Sequence, residues 1–190
     1  MSLTYSTILT EQHHWKDANV GLINVGAIPA SLFAMAYAGV LGDKFTLWMA
    51  KRNNNVHKPE HRLIPLVFPC LVAVGATLLY GFTVSDGSSW WGLYMGWTLY
   101  QFAFICVLII STTFASEVSP KHTGPALVMV VGTKNIVSFG ASYGLVPMVN
   151  LRGYAWAYGT LAGIFAGVAV LGVPVYFFNP VWRRYTSRKG

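Results

Sequence analysis

Residues 90–114, WWGLYMGWTLYQFAFICVLIISTTF, run for 25 residues without one charged side chain. At about 1.5 Å of rise per residue, some 20 apolar residues in a helix cross the roughly 30 Å hydrocarbon core of a bilayer. A barrel strand would alternate polar and apolar over about ten residues, whereas this run is continuous. A helix also satisfies all of its own backbone groups in lipid. The stretch is therefore read as a spanning helix. Working outward, four more runs of the same kind lie at Ala18 to Gly42, Leu63 to Phe82, Pro125 to Val149 and Tyr154 to Phe178. The expected fold is all-α: a polytopic membrane protein with about five transmembrane helices.

The composition agrees. Of 190 residues, 54% are hydrophobic and 10% are charged, against about 25% charged in a typical soluble domain. A water-facing enzyme or binding module of this size would lack the polar groups to cover itself, and a nucleic-acid partner is not expected. The lipid bilayer is. Residues 1–17, MSLTYSTILTEQHHWKD, have neither the basic start nor the apolar core of a secretory signal. They are expected outside the membrane, followed by a membrane domain over 18–178 and a basic cytoplasmic tail over 179–190.

Lys and Arg favour short cytoplasmic loops, and this bias sets the orientation. Lys44, Lys51, Arg52, Lys58, Arg62, Lys121, Arg183, Arg184, Arg188 and Lys189 fall on one side, and Lys16 and Arg152 on the other. The N-terminus is thus expected outside and the C-terminus in the cytoplasm. Trp15, Trp90, Trp91, Trp156 and Trp182 fall near the membrane surfaces, where amphipathic rings anchor.

Small residues four apart mark faces where helices approach closely in lipid. Gly26, Ala30, Ala34, Ala38 and Gly42 form such a stripe in the first run, and Gly159, Gly163 and Gly167 in the fifth. Shorter pairs are Gly92 with Gly96 and Gly140 with Gly144. These are read as packing faces within one bundle. Cys70 and Cys106 lie inside apolar runs with no CxxC spacing, so they are read as small core residues and not as redox or metal groups.

Lys134 is the one charged residue deep inside a run, some 14 Å beyond Pro125 and near the midplane. A central Lys costs roughly 2.5–3.5 kcal/mol on insertion scales, so it should face a cavity or a partner. All six acidic residues, Glu11, Asp17, Asp43, Glu60, Asp86 and Glu117, lie outside the runs. The partner must then be a backbone carbonyl, water, a ligand or another polypeptide. Asn135, Ser138 and Ser142 continue the polar face, and Tyr100 with Gln101 are polar at comparable depth in the third run. Lys134, Asn135, Ser138, Tyr100 and Gln101 are the candidate lining of a substrate cavity. Nothing suggests catalysis. The five His residues lie in loops or at membrane edges without a ligand set, and no P-loop, nucleophile elbow or paired intramembrane carboxylates are present. No cofactor or metal is expected.

The first run ends in Gly39-Val40-Leu41-Gly42-Asp43-Lys44, followed by FTLWMAKRNNNVHKPEHRL. This resembles the G-x-L-x-D-[RK] loop signature of the major facilitator superfamily (MFS), with Thr46 where the family usually has a second Gly. "FASEVSPKHTGPALV", "GTKNIVSFGASYG" and "NPVWRRYTSRKG" follow in the order seen in fungal drug:H+ antiporter-like facilitators. The resemblance implies helices eight to twelve of a facilitator, a partial C-terminal half. It gives Gly39, Asp43 and Lys44 a role in stabilising one gate conformation. It also implies a transporter of a small solute by alternating access, whose cavity is completed by an N-terminal half, so that this chain alone is not expected to transport. The alternative expectation is a small membrane protein that assembles with, or regulates, a full-length transporter.

Overall fold

The computed structural model describes residues 1, 4–11, 14–52, 59–87, 90–118 and 122–187. Lys58, Lys121, Arg188 and Lys189, four of the basic residues that set the expected orientation, lie outside the described residues, as do His13 and His57. The described chain is all-helical with no strand. A short helix α1 (Tyr5–Glu11) precedes four long helical stretches: α2 (Ala18–Arg52), α3 (Val67–Ser85), α4 (Trp90–Val118) and α5 (Thr123–Ser187). A turn of 3-10 helix, Pro59–Leu63, leads into α3. By length and apolar composition, four stretches are able to cross a membrane.

The fourth of these is two helices in one. At Gly153 the backbone takes φ +80° and ψ 174°, a region that only glycine occupies without strain. The apolar run therefore divides into limbs 123–152 and 154–187, and the second limb packs back on α3. Gly81 permits that approach, because a Cβ there would stand 2.7 Å from the Tyr158 Cβ.

α2 departs from the sequence expectation of a loop after Gly42. The helix continues through GDKFTLWMAKR to Arg52. Its segment contains no proline, and Lys51 and Arg52 sit in its last turn, where the negative end of the helix dipole favours cations. Hydropathy marks where a helix leaves lipid, and here that is not where it stops. Between the N-terminal and C-terminal parts of α2, residues Ala36–Leu41 form a π-helical turn, which re-aims the side chains beyond it.

The small-residue stripe of α2 is buried along its whole length: Gly26, Ala30, Ala34, Ala38 and Gly42, continuing through Thr46 and Ala50. Rows of residues four apart wind around a helix. The upper part of the stripe thus meets α4, where Thr98 and Tyr94 close over Gly26 and the Cys106 thiol lies 3.7 Å from the Ala34 carbonyl. The lower part faces the turn at Pro59–Leu63. Gly92 and Gly96 likewise seat α4 on Thr83 and Tyr80 of α3. The expectation fails for α5. Around Gly140, Gly144, Gly159, Gly163 and Gly167 an added Cβ meets nothing within 4 Å. The buried face of the second limb is instead Ala157, Tyr158 and Ala162.

Pro69 shows a second kind of helix contact. Lacking an N–H, it leaves the carbonyl of Pro65, four residues back, without its helical donor. The Tyr37 hydroxyl of α2 donates to that carbonyl at 3.0 Å. At the other end of the bundle, α1 buries Ile8 and Leu9 against Tyr80, Trp97 and Tyr158. There the Thr4 hydroxyl shares hydrogen bonds with the Tyr158 and Tyr80 hydroxyls at 2.6 and 3.2 Å. A buried hydroxyl left unpaired costs about 1–3 kcal/mol, so this cluster holds α1, α3 and the second limb of α5 together. Elsewhere the outer surface is apolar, with Leu32, Phe33, Ile136 and Phe139 each exposed by more than half. That is the surface a bilayer covers.

Candidate functional site

Two polar assemblies stand out on this apolar frame. The first ties three elements at one end. The Arg62 guanidinium, in the turn before α3, donates from Nε to Glu117 Oε1 of α4 at 2.6 Å and from Nη1 to Asp43 Oδ1 of α2 at 2.9 Å. The Arg62 and Glu117 side chains are largely buried, at 19% and 24% exposure, whereas Asp43 is 59% exposed. A planar guanidinium presents donors in a fixed fork and suits two carboxylates at once. Asp43 of the loop signature thus has Arg62 as its partner. Of its motif companions, Lys44 is exposed. Gly39 lies in the π-helical turn, with nothing within 4 Å of an added Cβ, so close packing does not demand a glycine there.

The second assembly is around Lys134, on the first limb of α5. Its Nζ stands 5.6 Å from the centroid of the Phe104 ring. Phe104 in turn lies beside Tyr100, their rings 6.3 Å apart and tilted by 19°, and Tyr100 lies beside Trp97 at 6.4 Å and 25°. Positions 97, 100 and 104 share one face of α4. The column thus runs from the buried indole of Trp97, 5% exposed, to the Phe104 ring, 39% exposed. Lys134, Asn135 and Ser138 are exposed, and Tyr100 and Gln101 are half-buried.

Of the five sequence candidates, Tyr100 and Lys134 are linked through Phe104, which sequence reasoning passed over as one more apolar residue. Its signal was the spacing from Tyr100, four residues on along the same face. The Ser142 hydroxyl donates to the Ser138 carbonyl at 2.8 Å, so this part of the polar stripe bonds its own helix. Among the described residues, no three His, Cys, Asp or Glu gather as a metal site.

No family model and no solved structure matches the chain. Curated proteins do. An uncharacterized MFS-type transporter of Schizosaccharomyces pombe is 25% identical across 96% of this chain and 32% of its own length. Protein HOL1 of Saccharomyces cerevisiae is 23% identical across 92% of this chain and 30% of its own length. The MFS-type transporter atr4 of Stereocaulon alpinum is 22% identical across 90% of this chain, again 30% of its own length. The chain is thus similar, over nearly all of its residues, to fungal MFS-type transporters. It spans about a third of the length of these relatives.

Proposed function

We propose that this chain is part of a membrane carrier that moves a small solute by alternating access. The observation that carries the reading is the similarity to MFS-type transporters along nearly the whole chain, on a bundle whose helices suit a membrane. In this reading the exposed face bearing Lys134, Asn135 and Ser138, together with Tyr100 and Gln101, forms one wall of the solute path. The remaining two thirds of a relative's length supply the other wall. The Asp43–Arg62–Glu117 tie, with Lys44 beside it, holds one gate conformation, joining α2 and α4 when closed and parting when the bundle rocks. The bias of basic residues supports an extracytoplasmic N-terminus and a cytoplasmic C-terminal end.

The test is uptake of a panel of small organic solutes by vesicles from cells that express the chain together with its flanking coding sequence. A carrier gives saturable uptake of at least one solute, and Arg62→Gln abolishes the saturable part. Uptake that never saturates and equals that of vesicles without the protein would overturn the reading.

A further inference from the structure

Lys134 carries a charge that nothing within the chain's membrane runs neutralises. Every acidic residue lies outside those runs, and at the end near Arg62 both Asp43 and Glu117 already share that guanidinium. Among the described residues, the Lys134 ammonium makes no hydrogen bond or ion pair, and it stands over the face of Phe104. A ring face at 5.6 Å offers a quadrupole, worth about 0.5–2 kcal/mol, and not a counter-charge. An anion that reached Nζ would therefore gain an uncompensated cation while the Phe104 contact stayed in place. One turn further along the same face, the exposed Ser138 makes no hydrogen bond from its hydroxyl among the described residues. It offers a second donor four residues on, a neighbour of Lys134 on the helix surface.

The aromatic column decides the rest of the ligand. Phe104 and Tyr100 lie nearly parallel, and Phe104 is exposed beside the cation. A flat conjugated ring extends such an offset stack, which adds about 0.5–1.5 kcal/mol beyond area burial. A saturated ring or an open chain does not. A cationic solute meets like charge here with no carboxylate to offset it.

We infer that Lys134, Ser138, Phe104 and Tyr100 form a binding site for a flat aromatic organic acid, with the acid group on Lys134 and Ser138 and the ring against Phe104. This rests on the transport reading above and names its substrate class.

Equilibrium dialysis of the full chain in phosphatidylcholine nanodiscs tests it with 2-naphthoate as probe. The comparison solutes are cyclohexanecarboxylate, 2-naphthylmethylammonium and naphthalene-2-methanol. The site predicts retention of 2-naphthoate above protein-free discs, and weaker retention of all three comparison solutes. Lys134→Met weakens binding of 2-naphthoate about tenfold or more, Lys134→Arg keeps it, and Phe104→Leu weakens it several-fold. Size-exclusion elution and helical circular dichroism matching the unsubstituted chain show that each variant is folded. Retention no greater than in empty discs, equal binding of the ammonium analogue, or no effect of Lys134→Met would overturn the site. Vesicle flux separates the two ideas. Site-dependent binding without flux leaves the site standing and removes the carrier reading, whereas saturable flux of other solutes that ignores Lys134→Met does the reverse.

Discussion

Replacing Arg62 by Gln removes the shared partner of Asp43 and Glu117, and the two losses are unequal. Glu117 is mostly buried and loses a charge-assisted bond of 2.6 Å, worth about 1.5–3 kcal/mol. Asp43 is more than half exposed, so water and ions screen it and its share falls to about 0–1 kcal/mol. We therefore expect Arg62→Gln to lower the SDS-unfolding stability of the chain by about 1–3 kcal/mol, and Asp43→Asn by under about 1 kcal/mol. Equal losses from the two substitutions would mean that the Asp43 arm is as well shielded as the Glu117 arm. At this scale the sequence was half legible. A charge inside an apolar run is visible in one dimension, so Lys134 stood out. Its neighbour Phe104 lies on another helix, and only the packing of α4 on α5 brings them together. Arg62 was legible only as one more basic residue, because its pairing depends on where α2 and α4 end.

The small residues of α2 and α5 share a spacing but differ in surroundings, and substitution should separate them. Ala34 is fully buried against α4. Ala34→Leu has no room and should cost about 1–3 kcal/mol. Gly163 has nothing within 4 Å of an added Cβ, and Ala is the better helix former by about 0.8–1 kcal/mol. Gly163→Ala should therefore be neutral or slightly stabilising in the same unfolding assay. A loss of stability at Gly163 as large as at Ala34 would show that a neighbouring helix packs on that stripe. The sequence pattern told both stripes alike because spacing reports only that close approach is permitted. Whether a helix comes to occupy the groove is a property of the bundle. Helices themselves were readable, since long apolar runs have few alternatives in lipid. The course of α2 beyond Gly42 was not, because charged residues leave the membrane without leaving the helix.

For the molecule as a whole, the orientation inferred from Lys and Arg makes a direct prediction. On a background of Cys70→Ser and Cys106→Ser, a thiol at Lys16→Cys should react with an impermeant maleimide in intact cells. One at Lys51→Cys should react only after the membrane is opened. The reverse pattern would turn the protein over in the bilayer. The length of α2 has a mechanical consequence. Its 35 residues run for about 50 Å, well beyond the roughly 30 Å of hydrocarbon, so part of α2 extends past the lipid. If α2 tilts about its Ala30–Ala34 contact with α4, the helix acts as a lever. Asp43 lies about 20 Å along it from Ala30, so a tilt of about 10° sweeps Asp43 through some 3 Å. That displacement is comparable to the 2.9 Å contact between Asp43 and Arg62, so the proposed gate needs only a small tilt of α2 to part this arm of the tie.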